Sequence, residues 1–187
     1  MKRYLPLTLI VVLFIAFRFI GAALPDSQPN FQPLAALFFC GALLAPGWRG
    51  FAIPFGIWAI TYPFAVGPVG NLSILLTTIL GLVVMFSMGQ LFTKSKLSVL
   101  LLGSVASALA FHLITNGIAW LGDPLYAKNL TGIWQSLWTG PTGSVLPSWV
   151  FLRNLAAANL LFTGIFACAQ LKLPQFSLAT RRPIFSK

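Results

Sequence analysis

The chain is poor in acid: its 187 residues contain two acidic side chains, Asp26 and Asp123, and a single histidine, His112. General acid–base catalysis, carboxylate-bound metals and intramembrane proton relays all draw on those groups, so an enzyme, a metal centre or a carboxylate-coordinated sodium site has little to be built from. Phosphate-cradling glycine loops with their lysine are also missing, and any nucleotide hydrolysis would belong to a partner. Cysteine is scarce. Cys40 and Cys168 each sit in an apolar stretch with no second thiol at metal-like spacing, so both read as small packing residues, and neither a disulfide nor a cofactor is expected. Internal repeats, low-complexity tracts and a soluble domain are absent. Binding or passage of a small molecule survives these exclusions, and no enzymatic activity is expected.

What the chain has in quantity is apolar surface. Hydrophobic residues make up 58% of it, and the mean hydropathy is +0.89. Six apolar stretches run from Leu5 to Ala23, Pro33 to Ala45, Phe51 to Val66, Leu72 to Phe92, Leu97 to Leu121 and Trp149 to Leu171. About 20 apolar residues cross the roughly 30 Å of hydrocarbon. The second and third stretches are shorter than that and would need burial by neighbours or local thinning of the bilayer. One all-α integral membrane domain covering residues 1–187 is expected.

Twelve Lys and Arg give a net charge of +10, and their placement is informative. Lys2 and Arg3 precede the first stretch, Arg49 follows the second, Lys94 and Lys96 follow the fourth, and Lys172, Arg181, Arg182 and Lys187 follow the last. The gaps between these hold only Lys128 and both acids. The positive-inside rule turns this alternation into six spans with both termini cytoplasmic. The charge is thus topological, and no nucleic-acid partner is expected. Residues 1–23 also have the charged start and small-residue end of a cleaved signal peptide, whereas Arg18 and the unbroken apolar run favour a retained helix. Asn71-Leu72-Ser73 and Asn129-Leu130-Thr131 fit the glycosylation pattern, which matters only in a eukaryotic secretory pathway.

Polar side chains inside spans are costly and default to functional or packing roles. At about 1.5 Å per residue, Arg18 lies about 7 Å below the outer end of its helix, Asn116 is similarly deep, and His112 is roughly 13 Å down. His112, Asn116 and Trp120 recur at i, i+4 and i+8, one polar stripe running inward from the outer surface. It forms either a cavity wall or hydrogen bonds to neighbouring helices. Gly103 with Ser107 supplies small residues for close helix approach. Arg153 and Asn154 open the sixth stretch. With no intramembrane acid to neutralise them, Arg18 and Arg153 either snorkel to lipid phosphates or grip an anionic group of a ligand. The long outer connection 122–148 carries Tyr126, Trp134 and Trp138 and suits an interfacial segment or a lid, with a short amphipathic helix over Leu130 to Trp138.

Three motifs carry a resemblance. Asn30-Phe31-Gln32-Pro33-Leu34-Ala35-Ala36-Leu37, Phe111-His112-Leu113-Ile114-Thr115-Asn116-Gly117-Ile118-Ala119-Trp120, and Arg153-Asn154 before a small-residue helix together resemble an uncharacterised family of bacterial membrane proteins grouped with transporters. That family is similar to the substrate-binding S components of energy-coupling factor (ECF) transporters. The resemblance implies a six-helix bundle in the bacterial inner membrane, a vitamin or similar micronutrient as ligand, and an ATP-driven coupling module as partner. Two departures stand out. Acidic residues that such proteins carry near the Tyr62-Pro63 region and at Asn159 are missing here, and Leu5 to Ala23 holds no Ala-x-x-x-Ala docking pair.

The expectation is therefore a small-molecule capture component, loading from the outer side between the first, fifth and sixth stretches and the outer loops. Arg18 and Arg153 would hold negative charge; Asn30, His112, Asn116 and Asn154 would give directional hydrogen bonds; Phe31, Trp120, Tyr126 and Trp134 would close apolar walls. The alternative is a structural or accessory subunit of a larger membrane complex, without a pocket.

Overall fold

The structure is a computed structural model and describes residues 12, 15–17, 19, 20, 29–44, 47–65 and 72–172. Several expectations fall on other residues: the role of Arg18, most of the first stretch and its cleavage, Asp26, the terminal basic clusters, and Asn71. Among the described residues the protein is entirely helical. The helices are α1 (Leu34–Leu44), α2 (Trp48–Ala65), α3 (Leu72–Leu91), α4 (Leu97–Gly122), the short α5 (Leu130–Trp134) continued by a π-helical turn (Gln135–Thr139), and α6 (Ser148–Lys172). Three of them, α3, α4 and α6 up to Cys168, are long and apolar enough to cross a membrane.

α1 is the axis of the bundle. Every residue from Pro33 to Gly41 is buried, which suits a helix that is apolar on all sides rather than on one stripe. It packs against α2, α3 and α6, with a lesser contact to α4. In lipid the apolar surroundings give helices no hydrophobic reason to associate, so close van der Waals fit must hold them. Glycine provides it. A Cβ on Gly89 of α3 would lie 1.9 Å from the Phe39 carbonyl oxygen of α1, and one on Gly41 of α1 would lie 2.2 Å from that of Gly50 in α2.

Around α1 the core divides into two apolar clusters. Leu37, Phe39 and Cys40 pack with Phe162 and Phe166 of α6, and Ile15 and Phe17 join them. Leu34, Ala35 and Phe38 pack with Trp58, Leu82 and Met85, alongside the ring chain Phe38–Phe51–Phe86 at centroid distances of 5.5 and 5.4 Å. On the far side of α3, Leu72, Leu76, Leu80 and Val83 are exposed, a face suited to lipid.

Polar groups also cross the interior. Asn159 Nδ2 of α6 donates to the Ser104 carbonyl (3.0 Å) and to Ser107 Oγ (3.4 Å) of α4. The Cys40 thiol donates to Thr163 Oγ1 at 3.7 Å. Ser107 thus meets α6, whereas Gly103, its small-residue partner in the sequence, faces the Phe92 ring. Asn159 Oδ1 is buried and has no hydrogen-bond partner among the described residues.

Helix directions place two distinct ends on the bundle. The first turn of α2 and the turn between α3 and α4 carry Arg49, Lys94 and Lys96, all exposed. The opposite end gathers residues 29–33, the connection 123–147 and the start of α6, and the candidate site lies there.

Candidate functional site

The connection 123–147 is tied down from its first residue. Asp123 Oδ1 accepts from the Leu125 amide at 2.9 Å, a local turn bond. Lys128 Nζ donates to the Trp120 carbonyl, and to that of Asp123 at 2.8 Å, so one cation satisfies carbonyls that α4 leaves open at its C-terminus. Trp120 Nε1 donates to the Ala127 carbonyl at 2.8 Å. Asn129 caps α5, its Oδ1 accepting from the Gly132 amide at 2.9 Å. The phenol of Tyr126 is held above its ordinary pKa, first by burial and second by the nearby Asp123 carboxylate.

The π turn ends at Gly140, whose φ of 81° only glycine adopts freely. A helix that stops leaves its last carbonyls unpaired. His112 of α4 meets one of them, its Nε2 lying 2.9 Å from the Leu137 oxygen. Asn116 Nδ2 lies 2.9 Å from the His112 carbonyl and 3.1 Å from His112 Nδ1. The backbone contact decides the chemistry: only the amide nitrogen can face a carbonyl oxygen, so Nδ2 is the donor and Nδ1 the acceptor. His112 is therefore the tautomer protonated on Nε2, donating to Leu137.

Beneath the connection lies a cavity of about 490 Å³. Its floor is made by Leu34 and Ala35 at the start of α1, with Leu82 and Leu155. Trp58 and Tyr62 of α2 wall one side, their rings 5.2 Å apart and edge to face. Thr78 of α3 with Phe111, Thr115 and Asn116 of α4 form another. Asn30, Tyr126, Ser144 and Ser148 rim the top. From Ile74 at the rim to Leu82 at the floor is eight residues of helix, about 12 Å of depth. A second hollow of about 530 Å³ between the upper ends of α3 and α4 shares Ile74, Thr78 and Thr115 with it.

Of the residues singled out in the sequence, Asn30, His112, Asn116 and Tyr126 line this cavity. Asn30 does so from a left-handed backbone with φ of 61°, which asparagine tolerates better than most residues. The others lie elsewhere. Phe31 packs toward Phe162, with centroids 6.4 Å apart. Trp120 is committed to Ala127. Trp134 stacks on Trp138, which stacks on Trp149, at 5.8 and 6.3 Å. The Arg153 guanidinium ends that row, 5.2 Å from the Trp149 ring centre. Arg153 also donates through Nε and Nη2 to Asn154 Oδ1, at 3.1 and 3.0 Å. Asn154 Nδ2 in turn donates to the Pro29 carbonyl at 3.1 Å, so this pair fastens the 29–33 turn to α6.

Sequence reasoning missed Trp58, Tyr62, Thr78, Phe111 and Thr115. Two of its own signals could have found them: Trp58 and Tyr62 are an i, i+4 aromatic pair, and Phe111 and Thr115 flank the His112–Asn116 stripe at i−1. Among the described residues no three His, Cys, Asp or Glu side chains converge as metal ligands.

Spanning helices and a one-ended hollow of small-molecule size make this an α-helical protein of membrane character with a candidate ligand cavity. The chain belongs to a family of unknown function (DUF6580), whose family model matches residues 1–178. No curated protein and no solved structure matches it.

Proposed function

We propose that this protein is the substrate-capture component of a transport system, a six-span S-component-like bundle of the bacterial inner membrane that takes a small organic solute from the outer side. The observation that carries the reading is the cavity at the end of the bundle remote from Arg49, Lys94 and Lys96. Its volume of about 490 Å³ falls within the range of ligand pockets, roughly 300–1,000 Å³. Aromatic and aliphatic walls with a few convergent polar groups are the composition such pockets have. The positive-inside rule assigns the basic end to the cytoplasm, which leaves the cavity facing outward. The Asp and Glu inventory argues for binding rather than catalysis. Energy for transport would come from an ATP-driven module, the partner that the resemblance to S components implies.

Native mass spectrometry of the protein released from lipid nanodiscs tests this reading. A small molecule retained by the wild type and lost in Thr78→Phe, which fills the cavity, is the expected result. A cavity that retains nothing, together with a stoichiometric partner protein, would replace capture by the accessory-subunit reading.

A further inference from the structure

The hydrogen bonds around Asn116 constrain what the cavity accepts. Both amide hydrogens of Asn116 point to His112, one to its carbonyl and one to Nδ1. Rotating the amide would set oxygen against the His112 carbonyl oxygen, so the orientation is locked. Asn116 Oδ1 remains, on a residue that lines the cavity, as an acceptor that no hydrogen bond among the described residues uses. The two threonines beside it are spent in the same way. Thr115 Oγ1 donates to the Phe111 carbonyl at 2.9 Å and Thr78 Oγ1 to the Ile74 carbonyl at 2.8 Å. Each hydroxyl hydrogen is used within its own helix, and only oxygen lone pairs are left. The α3–α4 wall is thus an acceptor surface. Trp58 and Tyr62 of α2 line the same cavity with an edge-to-face ring pair.

From this we infer that the captured solute, on the capture reading above, carries a ring system with at least one N–H or O–H donor on its edge, the donor meeting Asn116 Oδ1 and the ring resting on Trp58 and Tyr62. A carboxylate or phosphate cannot occupy that edge, because its oxygens would face acceptors without a hydrogen between them. A ring whose edge nitrogens are methylated would displace water from Asn116 Oδ1 without replacing its hydrogen bond, which loses affinity.

The test is equilibrium dialysis of nanodisc-embedded protein against a defined equimolar mixture of nucleobases, nucleosides, their N-methylated counterparts and aromatic carboxylates, with mass spectrometry of what is retained. Retention of N–H or O–H rings over their methylated counterparts by about tenfold or more is expected, the effect of leaving one acceptor unsatisfied. Asn116→Leu should reduce that retention by a similar factor. If Asn116→Leu does not fold, the comparison of methylated and unmethylated compounds on the wild type decides alone. Equal retention of both, or selective retention of the carboxylates, would overturn the inference while leaving capture intact. Retention of nothing from this mixture would also overturn the inference, while capture itself is decided by the native mass spectrometry above.

Discussion

Replacing His112 with Phe isolates the bond on which the cavity roof depends. The ring size is nearly kept, but the Leu137 carbonyl loses its donor and Asn116 Nδ2 loses one acceptor. His112 is 4% exposed, so water cannot easily substitute. Leaving a buried carbonyl unsatisfied costs roughly 1–3 kcal/mol. The Leu137 oxygen is the only partner His112 Nε2 has among the described residues, so most of that cost falls on the seating of the π turn rather than on the bundle. Local opening should therefore become about 5- to 150-fold more frequent, at 1.4 kcal/mol per tenfold. Hydrogen exchange reads it at the Gly140 amide, which donates to the Gln135 carbonyl at 2.7 Å and closes the turn. Amides in the middle of α4 serve as the internal control. Faster exchange at Gly140 with unchanged exchange in α4 is the expected pattern. Protection at Gly140 within twofold of the wild type, in a folded variant, would refute the assignment of His112 as the roof anchor.

Gly89→Ala should destabilise the bundle by about 1–3 kcal/mol through overpacking against Phe39, whereas Gly56→Ala, which meets open space, should be neutral or stabilising; thermal unfolding in nanodiscs compares the two. Asn30→Val should cost about 1–3 kcal/mol because a β-branched residue is strained at positive φ, while Asn30→Gly should keep the turn and remove only the cavity-lining side chain, a distinction that stability and retention assays can separate. Asn159→Leu removes a buried oxygen that has no partner among the described residues, a gain, together with the amide's bonds to the Ser104 carbonyl and Ser107 Oγ, a loss of about 1 kcal/mol each, so stability should fall by no more than about 2 kcal/mol; a loss above about 3 kcal/mol in the same unfolding assay would count against that oxygen being idle. Because the Tyr126 phenol is raised above its ordinary value of 10.0, the folded state holds that proton more tightly than the unfolded chain does. Its stabilising effect is then complete below pH 10 and lost as pH rises through the folded value, and the ultraviolet titration difference between the wild type and Tyr126→Phe should show one phenol ionising above pH 10.

The helices were legible because apolar runs end where turn formers begin. Leu72–Leu91 and Leu97–Gly122 follow stretches expected at residues 72–92 and 97–121 to within a residue. Within the connection, a helix expected over Leu130 to Trp138 is α-helical only to Trp134 and π-helical to Thr139. That widening was not legible, because it coincides with a carbonyl that satisfies itself on His112, a side chain 25 positions away. Depth was legible too: His112, Asn116, Asn154 and Arg153 all sit toward the cavity end. Azimuth was not. Spacing along one helix tells which residues share a face, but not which neighbour that face meets. Asn116 meets the cavity, while Asn154 at comparable depth meets Pro29. The anion-binding pair expected of Arg18 and Arg153 shows the same limit, since Arg153 turns to Trp149 and Asn154 while Arg18 lies outside the described residues.

The cavity has a cause in the length of α1. Eleven helical residues rise only about 16 Å, roughly half the hydrocarbon thickness. α1 begins at Leu34, level with Leu82 and Leu155 at the cavity floor rather than with Ile74 and Ser148 at its rim. The neighbours α2, α3, α4 and α6 continue past it, so the axis of the bundle is empty above its first turn. A bundle with a full-length central helix would fill that space with side chains. Here the vacancy is bounded instead by the 29–33 turn, held by Asn154, and by the connection 123–147, held by His112, Lys128 and Trp120. The same groups that an acid-poor chain can supply, amides, one imidazole and backbone carbonyls, therefore do two jobs at once. They satisfy carbonyls at the end of α4, in the π turn and in the 29–33 turn, and Asn116, Thr78 and Thr115, which line the space that α1 does not occupy, keep acceptor oxygens.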